Sequence, residues 1–560
     1  MRRPRRRRWR HSLPPARSRR LLPAAAVAAS TAALVWLALP TVWWTPLNVD
    51  EELTLRLSDF SFAHIFHIVS TQRGGGPVHF WLEHFLLGWW PGPAALRVPS
   101  LVFLVLALPA VALIARRLLG DDGSAAVVVL TAISPIPVLY ATFGRPHTLL
   151  FAWLMWSTVL ALRAADSGDR RLWLAAGAAL GLSVFVHPTA PLYALTAFGA
   201  AWLYAPGGMA ERVRVSWPGA VALLVTLVPY YVKTLHVLSD RYGVGGGGRS
   251  GRTFSGRPVW EDALRFVAPG GHDVNYFTVL AVVGVAALLA RRRYRLLLFC
   301  AATVAAPVLF FSVVPTSGDS ALFFDRYMIP ATPAFLVVVA AGVLAVAGWA
   351  GRFRFVVLVL LVAGLGGVEV RYDLAHRDAT QRIDVDAIVR AVRHEPPGTV
   401  LFGSTGTSGA NFSAFDYGHP ANILDHLLAL RERSLRLVDD DSCARVEPFV
   451  RGPAAPRYGL WVFYAASPDE VTAATGALGA SPVAGHYFAV RSARPLPPRA
   501  LVREGLRLRL RWKAAVPVNR RVDELLLADR SALAGTCVPY GDLGDPDISP
   551  HWPPVKTTHQ

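Results

Sequence analysis

An acidic segment follows the first long apolar run of this sequence. Asp50 and Glu51 stand shortly after the run ends, and Glu52 comes next. A carboxylate is ionised near neutral pH, so one placed here can act as a general base that takes the proton of a hydroxyl or amine nucleophile. Taken alone the cluster is a weak signal, and an ordinary solvated loop acid is the alternative interpretation.

Three arginines stand at the ends of other apolar runs: Arg97, Arg145 and Arg326. A charge at membrane depth is costly and is usually paired or functional. The planar guanidinium can donate two parallel hydrogen bonds to phosphate oxygens, so the arginines suit a phosphate ligand. Snorkelling of each side chain to lipid headgroups is the alternative.

The elements that would position these side chains are long apolar helices. Hydrophobic residues make up 53% of the chain and charged residues 17%, and the mean hydropathy is +0.37. The apolar residues form runs of roughly 17–25 with almost no charge, the length of a helix that crosses a bilayer. The sequence therefore predicts a polytopic α-helical membrane protein. Its eleven predicted spans are 21–43, 95–119, 124–143, 147–165, 172–187, 189–206, 217–236, 275–290, 295–314, 327–349 and 354–370.

The positively charged residues predict the orientation of these spans. If the N-terminus is cytoplasmic, every connection on that side is short and basic, as the positive-inside rule requires. The acids, the three arginines and the C-terminal part of the chain then lie outside. The basic connections carry Arg116 and Arg117, Arg163 with Arg170 and Arg171, Arg212 and Arg214, Arg291–Arg293 with Arg295, and Arg352 with Arg354.

The net charge of +19 comes largely from a basic tail. Ten arginines fall within residues 1–20, directly before an apolar run. This arrangement predicts a cytoplasmic tail that fixes orientation and contacts anionic lipid headgroups, and it argues against a nucleic-acid partner. The run that follows is too long for a cleaved signal peptide. The predicted localisation is the cell membrane.

From residue 372 to residue 560 the composition becomes that of a soluble domain. Short apolar runs alternate with helical patterns, which predicts an extracytoplasmic α/β domain. The runs are Thr399–Phe402, Leu435–Val438, Leu460–Tyr464 and Val483–Val490. Cys443 and Cys537 fall in this part, and the sequence leaves open whether they form a disulfide. The domains are thus the tail 1–20, a transmembrane domain 21–371 with a large outer loop 44–94, and 372–560.

The order of these motifs resembles the C-type glycosyltransferases that use polyprenyl-phosphate sugars, among them bacterial relatives of protein O-mannosyltransferases and aminoarabinose transferases. The resemblance covers roughly residues 21–350. It depends on an acidic pair after the first span, a Pro-containing stretch that predicts an interfacial helix, and three arginine motifs at helix ends. In this sequence they are Asp50-Glu51, Gly76–Phe80, Ala95–Ser100, Arg145–His147 and Arg326–Pro330.

This resemblance implies a glycosyltransferase that moves mannose, or a similar hexose or pentose, to an extracytoplasmic acceptor with inversion. Asp50 would be the base, and Glu51 or Glu52 would orient the acceptor or a bound cation. Arg97, Arg145 and Arg326 would neutralise the departing lipid phosphate. Tyr327, His79, His84 and His187 would be polar contacts near the substrate, with a structural role as the alternative for each histidine. The family has members with and without a divalent cation, and no closed ligand set is evident in the sequence, so the metal stays open.

Two departures from the family pattern bear on specificity. His79 and Phe80 replace the usual tyrosines, and Pro146 and His147 replace a Met-Tyr pair. A transporter or flippase for lipid-linked glycans, or a non-catalytic scaffold for envelope assembly, are the alternative functions. A transporter needs ionisable residues near the middle of the bilayer, whereas those of this sequence cluster at span ends. The sequence leaves the sugar, the acceptor and the oligomeric state undetermined.

Overall fold

The protein is described here from a computed structural model. The described residues are 21–44, 51, 54, 57–58, 60–73, 75–90, 93–242, 258–261, 263, 274–314 and 325–379, together with five strands between residues 400 and 492. Asp50, Glu52 and residues 1–20 lie outside them, as do Cys443, Cys537 and the helical patterns predicted after residue 380.

The described membrane part is helical. Its helices are α1 (Leu22–Trp44), α2 (Phe62–Ile68), α3 (Val78–Trp89), α4 (Pro93–Ile133), α5 (Pro135–Ala141), α6 (His147–Ser167), α7 (Arg170–Leu182), α8 (Ala190–Tyr204), α9 (Met209–Tyr242), α10 (Val274–Ala290), α11 (Tyr294–Val313), α12 (Thr332–Trp349) and α13 (Arg354–Ala379). A π-helical turn, Val69–Arg73, extends α2, and a 3₁₀ segment, Asp325–Ala331, precedes α12. Helix α12 lies in the core, with 83% of its most apolar window buried.

Helix α4 reverses direction at Gly120. This glycine has φ of 85°, a left-handed conformation that glycine adopts without strain. The hydroxyl of Ser124 donates to the carbonyl of Ala112 at 2.8 Å. In a straight helix these residues would be about 18 Å apart, at 1.5 Å per residue. The two halves of α4 are therefore antiparallel, matching the predicted spans 95–119 and the start of 124–143.

Prolines explain where two other helices differ from the predicted spans. The predicted span 124–143 is interrupted at Ser134, because Pro135 lacks a backbone N–H and begins α5 instead. The predicted span 327–349 begins as the 3₁₀ segment with Pro330 inside it, and α12 starts at Thr332 with Pro333 in its first turn. At these positions the apolar run is longer than the helix.

Seven described helices are long and apolar enough to cross a membrane. They make this a multi-pass membrane protein. Helices α7, α8 and α10 occupy predicted spans but are shorter than these seven helices, with 13, 15 and 17 residues. The number of eleven spans therefore stays a prediction.

Contacts between basic connections define one end of the helical bundle. Arg117 donates to Asp166 at 3.0 Å, Arg354 to Asp122 at 2.8 Å, and Arg293 to the carbonyl of Leu118 at 2.7 Å. We call this the basic end. It brings together connections that the charge pattern assigns to one side of the membrane. Helix α6 reaches it near Ser167, so its first residue, His147, lies at the opposite end, which we call the site end.

The described strands of the C-terminal part form one mixed sheet. They are β1 (Val400–Gly403), β2 (Arg436–Asp439), β3 (Gly459–Tyr464), β4 (Ser481–Ala484) and β5 (Tyr487–Ser492), in the order β2-β1-β3-β5-β4. Strand β1 pairs in parallel with β2 and β3, whereas β5 is antiparallel to β3 and β4. The run Val483–Val490, predicted as one strand, is two antiparallel strands. The α/β class stays a prediction, because only the strands of this part are among the described residues.

Candidate functional site

A buried ion pair lies at the centre of the site end. Glu51 follows α1, and Arg97 stands in the first turns of α4. The Arg97 guanidinium donates to both carboxylate oxygens of Glu51, from Nε at 2.7 Å and from a terminal nitrogen at 2.6 Å. Both side chains are fully buried. In this arrangement Arg97 holds Glu51, while another of its nitrogens donates to the carbonyl of Val42 at 3.4 Å.

The turn between α5 and α6 is attached to this pair through Gly144. Its N–H donates to Glu51 Oε1 at 2.8 Å, and its carbonyl accepts from Thr54 Oγ1 at 3.1 Å. A Cβ at Gly144 would lie 2.8 Å from Leu96 Cβ, closer than real Cβ contacts allow. Only glycine therefore lets the turn approach α4 this closely. The next residue is Arg145, so these bonds position its guanidinium.

His79 is a buried partner of the same turn. Its Nε2 lies 3.2 Å from the carbonyl of Gly144 and so donates to it. Burial lowers the pKa of His79 to about 3, with a further contribution from Arg145, so the ring is neutral. Its other nitrogen lies 3.8 Å from a carboxyl oxygen of Glu83. Burial, and secondly the charge of Glu51, raise the pKa of Glu83 well above its usual range, so the two groups meet as neutral species.

A second cluster contains His147, His187 and Tyr327. The rings of His147 and His187 are 5.1 Å apart, and His187 is 5.4 Å from Tyr327, measured between ring centroids. Arg145 and Arg326 both lie within electrostatic range of the two histidines. The Tyr193 hydroxyl donates to the carbonyl of Tyr327, which fixes the segment that carries Arg326. The structure thus brings two of the predicted arginines to one place.

His84 is separate from both clusters. Its Nδ1 lies 2.7 Å from the carbonyl of Ser58, and its ring packs edge-on against Phe62 at 4.8 Å. These contacts tie α2 to α3. Its predicted role as a substrate contact is supported by none of the contacts described.

No role was predicted from the sequence for three residues of the site end. Glu83 was given none, although it is an acid in an otherwise apolar stretch, and His147 was noted only as a departure from the family pattern. Gly144 acts through its backbone, which no residue type reveals. Among the described residues no group of three histidines, cysteines or acids is placed to hold a metal ion.

Comparisons with known proteins bear on this site. Residues 75–233 match the family model described as dolichyl-phosphate-mannose-protein mannosyltransferase. The matched segment contains Arg97, Arg145, His147 and His187, whereas Arg326 lies beyond it. No curated protein matches the sequence.

The fold is similar to solved structures. The crystal structure of ArnT from Cupriavidus metallidurans in the apo state matches with a TM-score of 0.50 and 15% identity, over 84% of this chain and 98% of that chain. The same protein bound to undecaprenyl phosphate gives a TM-score of 0.48 and 14% identity over the same shares. The archaeal oligosaccharyltransferase AglB from Archaeoglobus fulgidus was solved in complex with an inhibitory peptide and a dolichol-phosphate. It gives a TM-score of 0.44 and 11% identity, over 80% of this chain and 70% of that chain.

Proposed function

We propose that this chain is a membrane glycosyltransferase of the C type. The family match over residues 75–233 and the similarity of its fold to apo ArnT support the proposal. The enzyme moves a sugar from a polyprenyl-phosphate carrier to an extracytoplasmic acceptor. The observation that carries the proposal is the convergence of Arg145 and Arg326 at the site end, beside the buried pair of Glu51 and Arg97. Neighbours of known structure bind undecaprenyl phosphate or a dolichol-phosphate, which fits a lipid-phosphate donor.

The role of general base is assigned to Asp50, the residue before Glu51. Asp50 is the base that removes the acceptor proton as the acceptor oxygen attacks the anomeric carbon with inversion. Glu51 has a different task, because its two oxygens are bonded to Arg97 and the N–H of Gly144. A carboxylate fixed in this way anchors the segment that carries Asp50, and the ion pair with Arg97 is its counter-charge.

The arginines serve the leaving group. When the bond between the sugar and the phosphate breaks, its electron pair stays on the phosphate oxygen, which gains negative charge. Preorganised positive groups stabilise such charge most where water is excluded. Arg145 is held by the Gly144 turn and Arg326 by the Tyr193–Tyr327 bond, so both are positioned before the substrate arrives. Tyr327 and His187 line the same place.

The positions of charged residues favour an enzyme over a transporter. With the two halves of α4 counted as separate spans and the span in α13 taken as Gly351–Arg371, no aspartate, glutamate, lysine or arginine occupies the central third of a described spanning helix. The buried acids and arginines lie near the ends of the spans, such as Arg97 in α4 and Glu369, two residues before the end of the span Gly351–Arg371. A transporter that carries its substrate through the midplane would need such groups there.

The remaining organisation belongs to the same proposal. The site end faces the cell exterior, the tail 1–20 lies in the cytoplasm, and 372–560 is an outer α/β domain that shapes access of the acceptor. The partners are a polyprenyl-phosphate sugar, an acceptor that is a protein, lipid or polysaccharide, and membrane lipids.

The test is a transfer assay in membranes that contain the full chain. Radiolabelled polyprenyl-phosphate mannose is supplied with an envelope extract as acceptor, followed by arabinose and glucose donors. Wild type is compared with Asp50→Asn. The matched control is Asp122→Asn, which makes the same acid-to-amide change at the basic end, where Asp122 pairs with Arg354.

The expected result is transfer by the wild type and by Asp122→Asn, with a fall of at least about 100-fold in Asp50→Asn, the lower range for a general base. Equal transfer by all three proteins would remove Asp50 as the base. Absence of transfer from every donor would favour the transporter or the scaffold.

A further inference from the structure

One buried nitrogen at the site end, His147 Nε2, contributes no hydrogen bond to the described part of the fold. His147 begins α6 and is 3% exposed, and its Nε2 has no hydrogen-bond partner among the described residues. Buried polar atoms in native proteins are nearly always bonded, so each exception needs an explanation. The ring packs between Tyr140 and His187, at 5.2 and 5.1 Å between centroids. This packing orients the imidazole but leaves Nε2 unsatisfied, which points to a ligand atom.

The neighbouring His187 is held as a hydrogen-bond donor. Its Nδ1 accepts the backbone N–H of Thr189 at 3.2 Å and lies 2.8 Å from the Thr189 hydroxyl. Because Nδ1 is used as an acceptor, the neutral ring must carry its proton on Nε2. His187, whose ring lies beside those of His147 and Tyr327, therefore carries an N–H donor on Nε2.

The charge around the two rings indicates an anion. Among the described residues, the permanently charged groups that act on both histidines are Arg145 and Arg326. Two guanidinium groups and imidazole N–H groups are donors that suit a phosphate. Glu51, a buried carboxylate of the same end, is already bonded to Arg97.

We propose that His147 and His187 recognise the phosphate monoester that remains on the carrier lipid after transfer, in preference to a phosphodiester. This inference rests on the proposed function. In that reaction the acceptor oxygen bonds to the anomeric carbon, the sugar–oxygen bond breaks, and its electron pair stays on the phosphate. The acceptor proton goes to Asp50. The singly charged diester thereby becomes a monoester with one more oxygen able to accept hydrogen bonds, and the two imidazoles supply donors for it.

The experiment measures binding and needs no sugar. Purified full-length protein in detergent is titrated with geranylgeranyl phosphate and with its methyl ester, a phosphodiester of equal length. Wild type should bind the monoester about tenfold more tightly, the effect of one hydrogen bond to a charged group. His147→Phe keeps a packed ring without the N–H and should lose this preference. His147→Gln, which restores a donor, should recover part of it, and the control His84→Phe should behave as wild type.

Several outcomes would overturn the proposal. They are equal affinity of wild type for the two esters, an unchanged preference in His147→Phe, and the same loss in His84→Phe. If His147→Phe does not fold, as judged by its melting temperature, His187→Phe decides, with the same loss expected. Inorganic phosphate is added as a competitor: displacement only at large excess supports a lipid-borne ligand, and displacement at equal concentration contradicts it. A retained monoester preference without any sugar transfer would leave this site standing while the proposed function fails.

Discussion

The pair of Glu51 and Arg97 is the residue-scale feature on which the site end depends. Both charges are fully buried, and their two short hydrogen bonds compensate for the lost hydration. A buried pair of this kind contributes little net stability, but removal of one partner strands the other charge. The arrangement is therefore sensitive to single substitutions and tolerant of paired ones.

Arg97→Met should lower the free energy of unfolding by roughly 3–5 kcal/mol, because it leaves the Glu51 carboxylate buried without its counter-charge. Thermal unfolding in detergent measures this loss. Arg116→Met is the control, since Arg116 pairs with Asp121 at the surface and such pairs are worth about 0–1 kcal/mol. Addition of Glu51→Gln to Arg97→Met should recover much of the loss. Equal effects of the two arginine substitutions would contradict the buried pair.

Because Glu83 is buried and protonated, the free energy of unfolding should fall as pH rises. The folded protein holds the proton on Glu83, whereas the unfolded chain releases it near the ordinary pKa of 4.5. Above that value the unfolded state binds fewer protons, so each further pH unit favours unfolding by about 1.4 kcal/mol until the raised folded pKa is reached. Melting temperatures of wild type and Glu83→Gln between about pH 5 and pH 8 test this. The melting temperature of Glu83→Gln should fall less steeply with pH than that of wild type. Identical slopes of melting temperature against pH would count against a neutral, buried Glu83.

At the scale of elements, the turn between α5 and α6 joins the two halves of the site. Its backbone bonds to Glu51, and its next residue carries the Arg145 guanidinium toward the histidines. Gly144 is the point of closest approach to α4, so the position of Arg145 depends on the absence of a side chain there.

Gly144→Ala should reduce sugar transfer more than it reduces stability. The added methyl group would meet Leu96 Cβ at 2.8 Å and must push the turn away, at a cost of about 1–3 kcal/mol for overpacking. Gly199→Ala is the matched control, because no atom lies within 4 Å of a Cβ at that position in α8. Transfer rates and melting temperatures of the two variants are compared. Full activity of Gly144→Ala would show that the turn does not position the site.

The sequence predicted the helices better than the contacts between them. Apolar run length located helices at or near all of the predicted spans, since the bilayer imposes that length directly. It missed the interruptions at Ser134 and Pro330, where proline removes a backbone donor within an apolar run. It also placed Glu51 and Arg97 in separate roles, because no spacing along the chain reveals that residues 46 positions apart share a buried ion pair.

At the scale of the whole molecule, the bundle has two chemically different ends. The basic end is held by exposed ion pairs between short connections, and the site end by buried hydrogen bonds around Glu51, Gly144 and the histidines. The charge bias predicts that the basic end faces the cytoplasm. This orientation would give the site access to outer-leaflet lipid and to envelope acceptors.

Cysteine labelling tests this orientation. In a variant whose native cysteines are replaced by serine, Trp90→Cys marks the site end and Ser167→Cys the basic end. A membrane-impermeant maleimide should label position 90 in intact cells and position 167 only after permeabilisation. Trp90 is 45% exposed, which suits it to labelling. The opposite pattern would invert the topology and exclude an outer-leaflet donor for this site.

The most direct test of the central claim is the fate of a donor labelled in both parts. Protein reconstituted in liposomes receives a polyprenyl-phosphate sugar with one isotope in the prenyl chain and another in the sugar, together with the envelope acceptor. We expect the labels to separate, with carrier phosphate and glycosylated acceptor formed in equal amounts. Movement of the intact, doubly labelled lipid to the other leaflet, with no separation of the labels, would contradict it and identify a transporter.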